Sequence, residues 1–137
     1  MTQTGAIAIV VRSRNGDGSL LDIAVTNETA APLVVSRSGL PWTNSYDLLL
    51  TAVCADPVGS VIERSLPVDD PLVGALTVLP GQTVSGEINL TQRFPGLAEA
   101  RERADVLLYW SWRPRPVNES AGPWSSGWLL LKRTNGD

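Results

Sequence analysis

Short apolar runs alternate with clusters of turn-forming residues along the whole chain, a pattern that predicts β-strands. In residues 6–12 and 20–26 every second position is apolar, as in strands that bury one face. The run 106–112 is apolar on both faces, which indicates a central strand. The predicted strands are 6–12, 20–26, 46–55, 60–64, 83–90, 106–112 and 127–132, with shorter apolar runs at 33–36 and 76–79.

Turn and helix signals lie between these runs. Residues 15–18, Asn-Gly-Asp-Gly, predict a hairpin turn, which explains the oxygen donors of 15–22 better than a calcium loop does. Pro80 and Gly81 predict a type II turn, with proline at the second position and glycine at the third. Residues 97–104 are the only good helix formers in series, and they predict one or two helical turns between the sheets.

Seven or eight short strands with frequent turns predict an all-β fold, an immunoglobulin-like two-sheet antiparallel sandwich with one short helix near 97–104. The Cys…Trp…Cys pattern of antibody domains is missing, and a small closed barrel is the competing architecture. A chain of 137 residues has the length of a single domain, so we assign 1–137 to one domain.

Two segments resemble a known group of domains. The stretch from Leu21 to Asn27 (Leu-Asp-Ile-Ala-Val-Thr-Asn) precedes a proline, and Leu79-Pro-Gly-Gln-Thr83 leads to Ile88-Asn-Leu90. This pattern resembles bacterial Ig-like domains, including the intracellular proteinase inhibitor type and the N-terminal domains of some metallopeptidases. The matching residues are turn and core positions, so the resemblance implies the fold, and inhibition follows only by analogy.

Charge and hydropathy limit the kinds of partner and the location that the sequence predicts. Eleven basic and fourteen acidic residues give a net charge of −3, which disfavours nucleic-acid binding. The mean hydropathy of +0.03 is that of neither a disordered nor a membrane-spanning chain. The first residues lack the basic and long apolar regions of a signal peptide, which predicts a cytoplasmic protein that needs no membrane.

The sequence offers few groups for catalysis. The chain has no histidine, which removes Ser-His and Cys-His triads and His-ligated zinc. Its single cysteine, Cys54, sits in an apolar strand and is predicted to be a core residue. Its single lysine, Lys132, is the only base that a Ser-Lys dyad could use. We therefore predict a protein that is not an enzyme and binds no metal or other cofactor.

Tryptophan is the most informative residue type, with five in the chain against one phenylalanine. Trp110, Trp112 and Trp128 lie in predicted strands, which favours core or cross-strand packing. Trp42 and Trp124 lie in loops rich in Pro, Gly and Ser. A loop tryptophan either covers the core or projects as a binding anchor.

A count of strand crossings links these loops. If the runs 33–36 and 76–79 are not separate crossings, loops 27–45, 65–83 and 113–126 meet at one end of the sandwich. Segment 113–116, Arg-Pro-Arg-Pro, either stiffens its loop or forms a polyproline ligand. The predicted binding residues of this loop end are Trp42, Asp69, Asp70, Arg113, Arg115 and Trp124.

Three functions fit these observations. The first is a non-enzymatic module that binds another protein through its loop end or an exposed sheet edge, as an inhibitor or an immunity protein would. The second is carbohydrate or small-ligand binding, with Trp42 and Trp124 stacking on a sugar and Asp69 or Asp70 accepting its hydroxyls. The third is a structural homo-oligomer joined through edge strands.

Overall fold

The computed structural model describes residues 7–14, 17–43, 48–55, 58–65, 74–117 and 122–134. Within these ranges the chain forms nine strands, two short α-helices and a 3-10 turn at Arg37–Gly39. The strands are β1 (Ile7–Arg14), β2 (Asp17–Asn27), β3 (Leu33–Ser36), β4 (Leu48–Ala55), β5 (Val58–Ile62), β6 (Ala75–Val78), β7 (Thr83–Asn89), β8 (Val106–Trp112) and β9 (Ser125–Leu131). The helices are α1 (Leu90–Arg93) and α2 (Leu97–Arg103).

The strands form three antiparallel sheets in the described part of the chain. A three-stranded sheet has the order β1-β2-β7, a four-stranded sheet the order β5-β4-β8-β9, and β3 pairs with β6. This arrangement confirms the prediction of an antiparallel, mostly β protein. The central position of β8 confirms what its two apolar faces predicted.

The main core lies between the three-stranded and four-stranded sheets. Strand alternation turns Leu21, Ile23 and Val25 of β2 inward, where each is buried. The four-stranded sheet meets them with buried side chains of β4 and β8, and Trp112 is the largest of these. Cys54 is buried in this core, as the sequence predicted. A smaller cluster between β3 and β6 contains Leu33, Val35, Leu40 and Val78.

The turn before β7 has the predicted type II geometry. Gly81 adopts a φ of +81°, in the left-handed region that favours glycine. The backbone N–H of Gln82 donates to the carbonyl of Leu79 at 2.9 Å and closes the turn. The other predicted turn, at 15–18, begins in residues 15–16, which lie outside the described part of the chain.

Asn27 joins this turn to the end of β2. Its side-chain amide is fully buried and donates to the carbonyls of Ala31 at 2.8 Å and Val78 at 2.9 Å. Its Oδ1 accepts from the backbone N–H of Thr29 at 3.0 Å and from that residue's hydroxyl at 2.6 Å. The Thr-Asn pair of the resemblance thus holds two loops against the end of one strand.

The connection from β7 to β8 contains one more helix than predicted. Helix α2 agrees with the prediction for 97–104, whereas no helix was predicted at 90–93, where the predicted strand ended at Leu90. Asn89 ends β7, and its Oδ1 accepts from the backbone N–H of Thr91 at 3.0 Å, which caps α1. The cap turns the chain into a helix because Asn89 offers the first turn a side-chain acceptor.

Candidate functional site

The outer face of the four-stranded sheet is apolar. Successive residues of a strand point to opposite sides, so the positions between the buried ones face outward. An antiparallel sheet with one face in water ordinarily carries polar residues there. Here the outward positions, which we call the outer face, are Leu49, Thr51, Val53, Val61, Leu107, Tyr109, Ser111, Ser126, Trp128 and Leu130.

Strand pairing sets these side chains in rows. One row crosses all four strands, with Val53 opposite both Val61 and Leu107, and Leu107 opposite Leu130. With strands ~4.8 Å apart, the row is about 14 Å wide. Val61 at its edge is 68% exposed. The row is an unbroken aliphatic stripe across the sheet.

The next row is aromatic. Tyr109 lies opposite Thr51 on one side and Trp128 on the other. Trp128 is 64% exposed, so it contributes a cross-strand contact and not a core side chain. A shallow groove of about 290 Å³ lies along both rows, lined by Thr51, Val53, Leu107, Leu108, Tyr109 and Trp128.

Two predicted site residues meet just beyond this sheet. Trp112 and Ser125 are the last pair of the β8–β9 ladder. Arg113 comes directly after β8, and Trp124 comes directly before β9. The guanidinium carbon of Arg113 lies 4.7 Å from the centroid of the Trp124 ring, a cation–π contact. Trp124 remains 51% exposed, so this pair extends the accessible aromatic surface.

Trp42 is placed differently. Its half-buried ring packs against both hydrophobic clusters, and a Cβ at Gly86 would overlap the ring. Its carbonyl accepts from Nη2 of Arg93 at 3.3 Å. Of the two arrangements open to a loop tryptophan, Trp42 has that of a cover on the core.

The strand count that linked the predicted site residues is not the one in the structure. Both 33–36 and 76–79 contain strands, β3 and β6, so the strand count behind the three-loop cluster does not hold. Asp69 and Asp70 lie outside the described residues. Arg115 is exposed in the segment after β8.

The Arg113–Pro116 segment lies against β3. Pro116 forms an isolated antiparallel bridge with Val35, and the N–H of Val117 donates to the carbonyl of Val34 at 2.8 Å. The end of the segment is therefore joined to the neighbouring sheet.

The outward face of the three-stranded sheet is polar by contrast. Arg14 of β1 bonds through its guanidinium to the carboxylates of Asp22, at 2.7 Å, and Glu87. The hydrogen bond from Arg14 holds the pKa of Asp22 below its usual value. A shallow depression of about 610 Å³ covers this face, and Arg14 already pairs with both carboxylates there.

This ion pair gives a testable pH dependence. Because the pKa of Asp22 is lowered in the folded state, the pair stabilises the fold above the pKa of an unfolded aspartate and is lost as the pH falls through the folded value. We expect Arg14→Gln to raise the pKa of Asp22, measured by carboxyl NMR titration. The stability difference between the two proteins should shrink as the pH falls through the folded-state pKa of Asp22, and a difference that is constant with pH would contradict the assignment.

Catalytic and metal-binding groups are scarce in the described ranges. No group of three or more His, Cys, Asp or Glu side chains converges there in a way that could hold a metal. Arg93 is 6% exposed, and burial, followed by the like charge of Arg64, lowers its pKa to about 10. Arg93 therefore remains charged at neutral pH and is held by the Trp42 carbonyl.

Comparison with known proteins leaves the family open. No protein-family model matches the chain, and the search of curated proteins found no match either.

None of the helices in the described part is long and apolar enough to cross a membrane.

Proposed function

We propose that this protein is a non-enzymatic protein-binding module whose contact surface is the outer face, extended by Arg113 and Trp124. One observation carries the proposal: an aliphatic row and an aromatic row lie side by side in the open on one sheet. Contiguous exposed apolar patches of this kind are rare on monomers and are typical of interaction sites.

The residue types agree with a protein partner. Trp, Tyr and Arg are the types most enriched at the energetic centres of protein interfaces. Trp128 and Tyr109 stand together in the aromatic row, and Arg113 with Trp124 adds the charged aromatic pair at one end. Charged side chains are depleted at interface centres, and the two rows contain none.

The outer face is less suited to the sugar ligand that the sequence also allowed. A small-ligand site places several polar groups around one pocket. Among the described residues lining the groove, Thr51 is the one polar side chain apart from the polar atoms of the rings. We accordingly expect a panel of saccharides at millimolar concentration to leave tryptophan emission unchanged, and quenching that requires Trp128 would support the sugar alternative.

For the fold we propose the immunoglobulin-like sandwich. Two antiparallel sheets with one core between them, joined by a helical crossing from β7 to β8, support it. Binding through a sheet face would distinguish this module from domains that bind through loops.

Affinity capture from a lysate of the native host tests the proposed function. We expect Trp128→Thr to reduce recovery of a specific partner at least ~10-fold, because it removes the most exposed aromatic side chain of the outer face. Val10→Thr is the matched control, since Val10 is an exposed apolar residue on the outward side of the three-stranded sheet. Equal recovery by the wild type and a folded Trp128→Thr protein would refute the outer face as the binding surface.

A further inference from the structure

We infer that the outer face binds the same face of a second copy of this chain, giving a two-fold symmetric dimer with the two four-stranded sheets packed face to face. This inference rests on the proposed function and names the partner of the same surface. It differs from joining through edge strands, because the contact is made by side chains of the sheet face.

The strands of this sheet have the composition of strands covered on both sides. β4 reads LLLTAVCA and β8 reads VLLYWSW, near-continuous apolar runs. Strands buried on both faces show such runs, whereas strands with one face in water alternate. Strands β2 and β7 of the three-stranded sheet alternate in this way. The buried pair Leu21 and Ile88 is followed by the pair Asp22 and Glu87, which points outward. The contrast within one molecule indicates that the outer face is covered by another protein surface.

The lack of charge on this surface favours a second copy over an unrelated protein. In a two-fold interface the side chains near the axis meet their own equivalents, so a charge near the middle of the surface would face like charge. The two rows meet that condition with aliphatic and aromatic side chains only, apart from Thr51. Two sheets with these faces pack about 10 Å apart with interdigitated side chains.

The area is sufficient for association. Because a tyrosine or tryptophan side chain offers ~200 Å², the exposed parts of Tyr109, Trp124 and Trp128, with the exposed aliphatic residues, come to on the order of 600 Å². Two copies would bury roughly 1,200 Å², the lower end of the range for specific interfaces. We therefore expect a reversible dimer with a dissociation constant on the order of 10 µM.

Sedimentation equilibrium of the purified chain, from about 1 to 300 µM, measures this constant. Trp128→Thr should raise the dissociation constant at least ~30-fold, because a large exposed aromatic side chain is lost from both copies. Val10→Thr, on the opposite sheet, should leave it unchanged. Circular dichroism and denaturation confirm that the variants are folded.

A charge exchange at Thr51 identifies the partner directly. Thr51 is exposed on β4, an inner strand of the sheet, so a two-fold axis through the middle of the outer face would pass close to it. Thr51→Lys and Thr51→Glu should each be monomeric, because each sets like charges against each other. An equimolar mixture should restore the dimer, which only a second copy can do.

The outcomes separate this inference from the proposed function. A wild-type chain that stays monomeric up to 300 µM overturns the dimer, as does a dimer that Thr51→Lys leaves intact. If the monomeric chain still captures a host protein in a Trp128-dependent manner, the proposed function stands and only the second copy fails. If that capture is also absent, both fail.

Discussion

Replacing Asn27 by aspartate will destabilise the fold by about 3 kcal/mol, as expected when a buried amide network is replaced by an unpaired charge. The amide nitrogen donates to two carbonyls, those of Ala31 and Val78. An aspartate has the same shape but presents an oxygen to both carbonyls, so two attractions become repulsions. Urea denaturation at pH 7 measures the loss as a lower transition midpoint.

Asn89→Asp is the matched control for this experiment. The Asn89 side chain uses its Oδ1, which accepts from the backbone N–H and the hydroxyl of Thr91. A carboxylate accepts equally well at the first turn of a helix, so this variant should remain within ~0.5 kcal/mol of the wild type. Equal losses at positions 27 and 89 would show that the orientation of the buried amide is not what stabilises this region.

Gly86→Ala will cost about 2 kcal/mol, even though alanine is ordinarily the better residue in a strand. The new Cβ would overlap the Trp42 ring, so the indole has to leave its position between the two hydrophobic clusters. Thermal or urea denaturation gives the loss. Gly96→Ala is the control, because the nearest atom to its new Cβ is Cγ2 of Ile62 at 3.9 Å, an ordinary contact.

A double-mutant cycle identifies the cause. Trp42→Ala removes the ring, so adding Gly86→Ala to that variant should cost nothing or stabilise it slightly. The double variant then loses less stability than the two single losses added together, and the difference is about the size of the Gly86→Ala loss. If Gly86→Ala costs the same with and without the ring, Trp42 does not cover this strand.

Most strands could be predicted because their signals are local. The segments 33–36 and 106–112 match β3 and β8 in full, and the turn at Pro80 and Gly81 follows from the allowed φ of two residues. Helix α1 was missed because its cap, Asn89, ends a run that alternates like a strand. The pairing of neighbouring strands was predicted for β1 with β2 and for β8 with β9, but distant partners were out of reach, since the β3–β6 pairing joins segments some forty residues apart.

The candidate site was predicted only in part, because exposure depends on which strands pair. Arg113 and Trp124 were both named from the sequence and do meet. Trp42 was placed with them, but only the structure shows the ring over Gly86. In the sequence the outer face could be recognised only from the two apolar faces of 106–112, which were interpreted as those of a central, buried strand. The structure shows that one of these faces is open to solvent, because Trp128, at the middle of the neighbouring strand β9, is apolar and exposed.

We expect the two outward faces of this molecule to accept amino-acid substitutions at different rates. The face with Arg14, Asp22 and Glu87 can exchange one polar residue for another at little energetic cost, so lineages descended from this chain will diverge there quickly. If the proposed interface forms, substitutions at Thr51, Tyr109 and Trp128 will be purged at the rate typical of a core, although these side chains are open to solvent in the single chain. A slow substitution rate at exposed positions of one sheet is therefore the signature by which natural selection would record this interface.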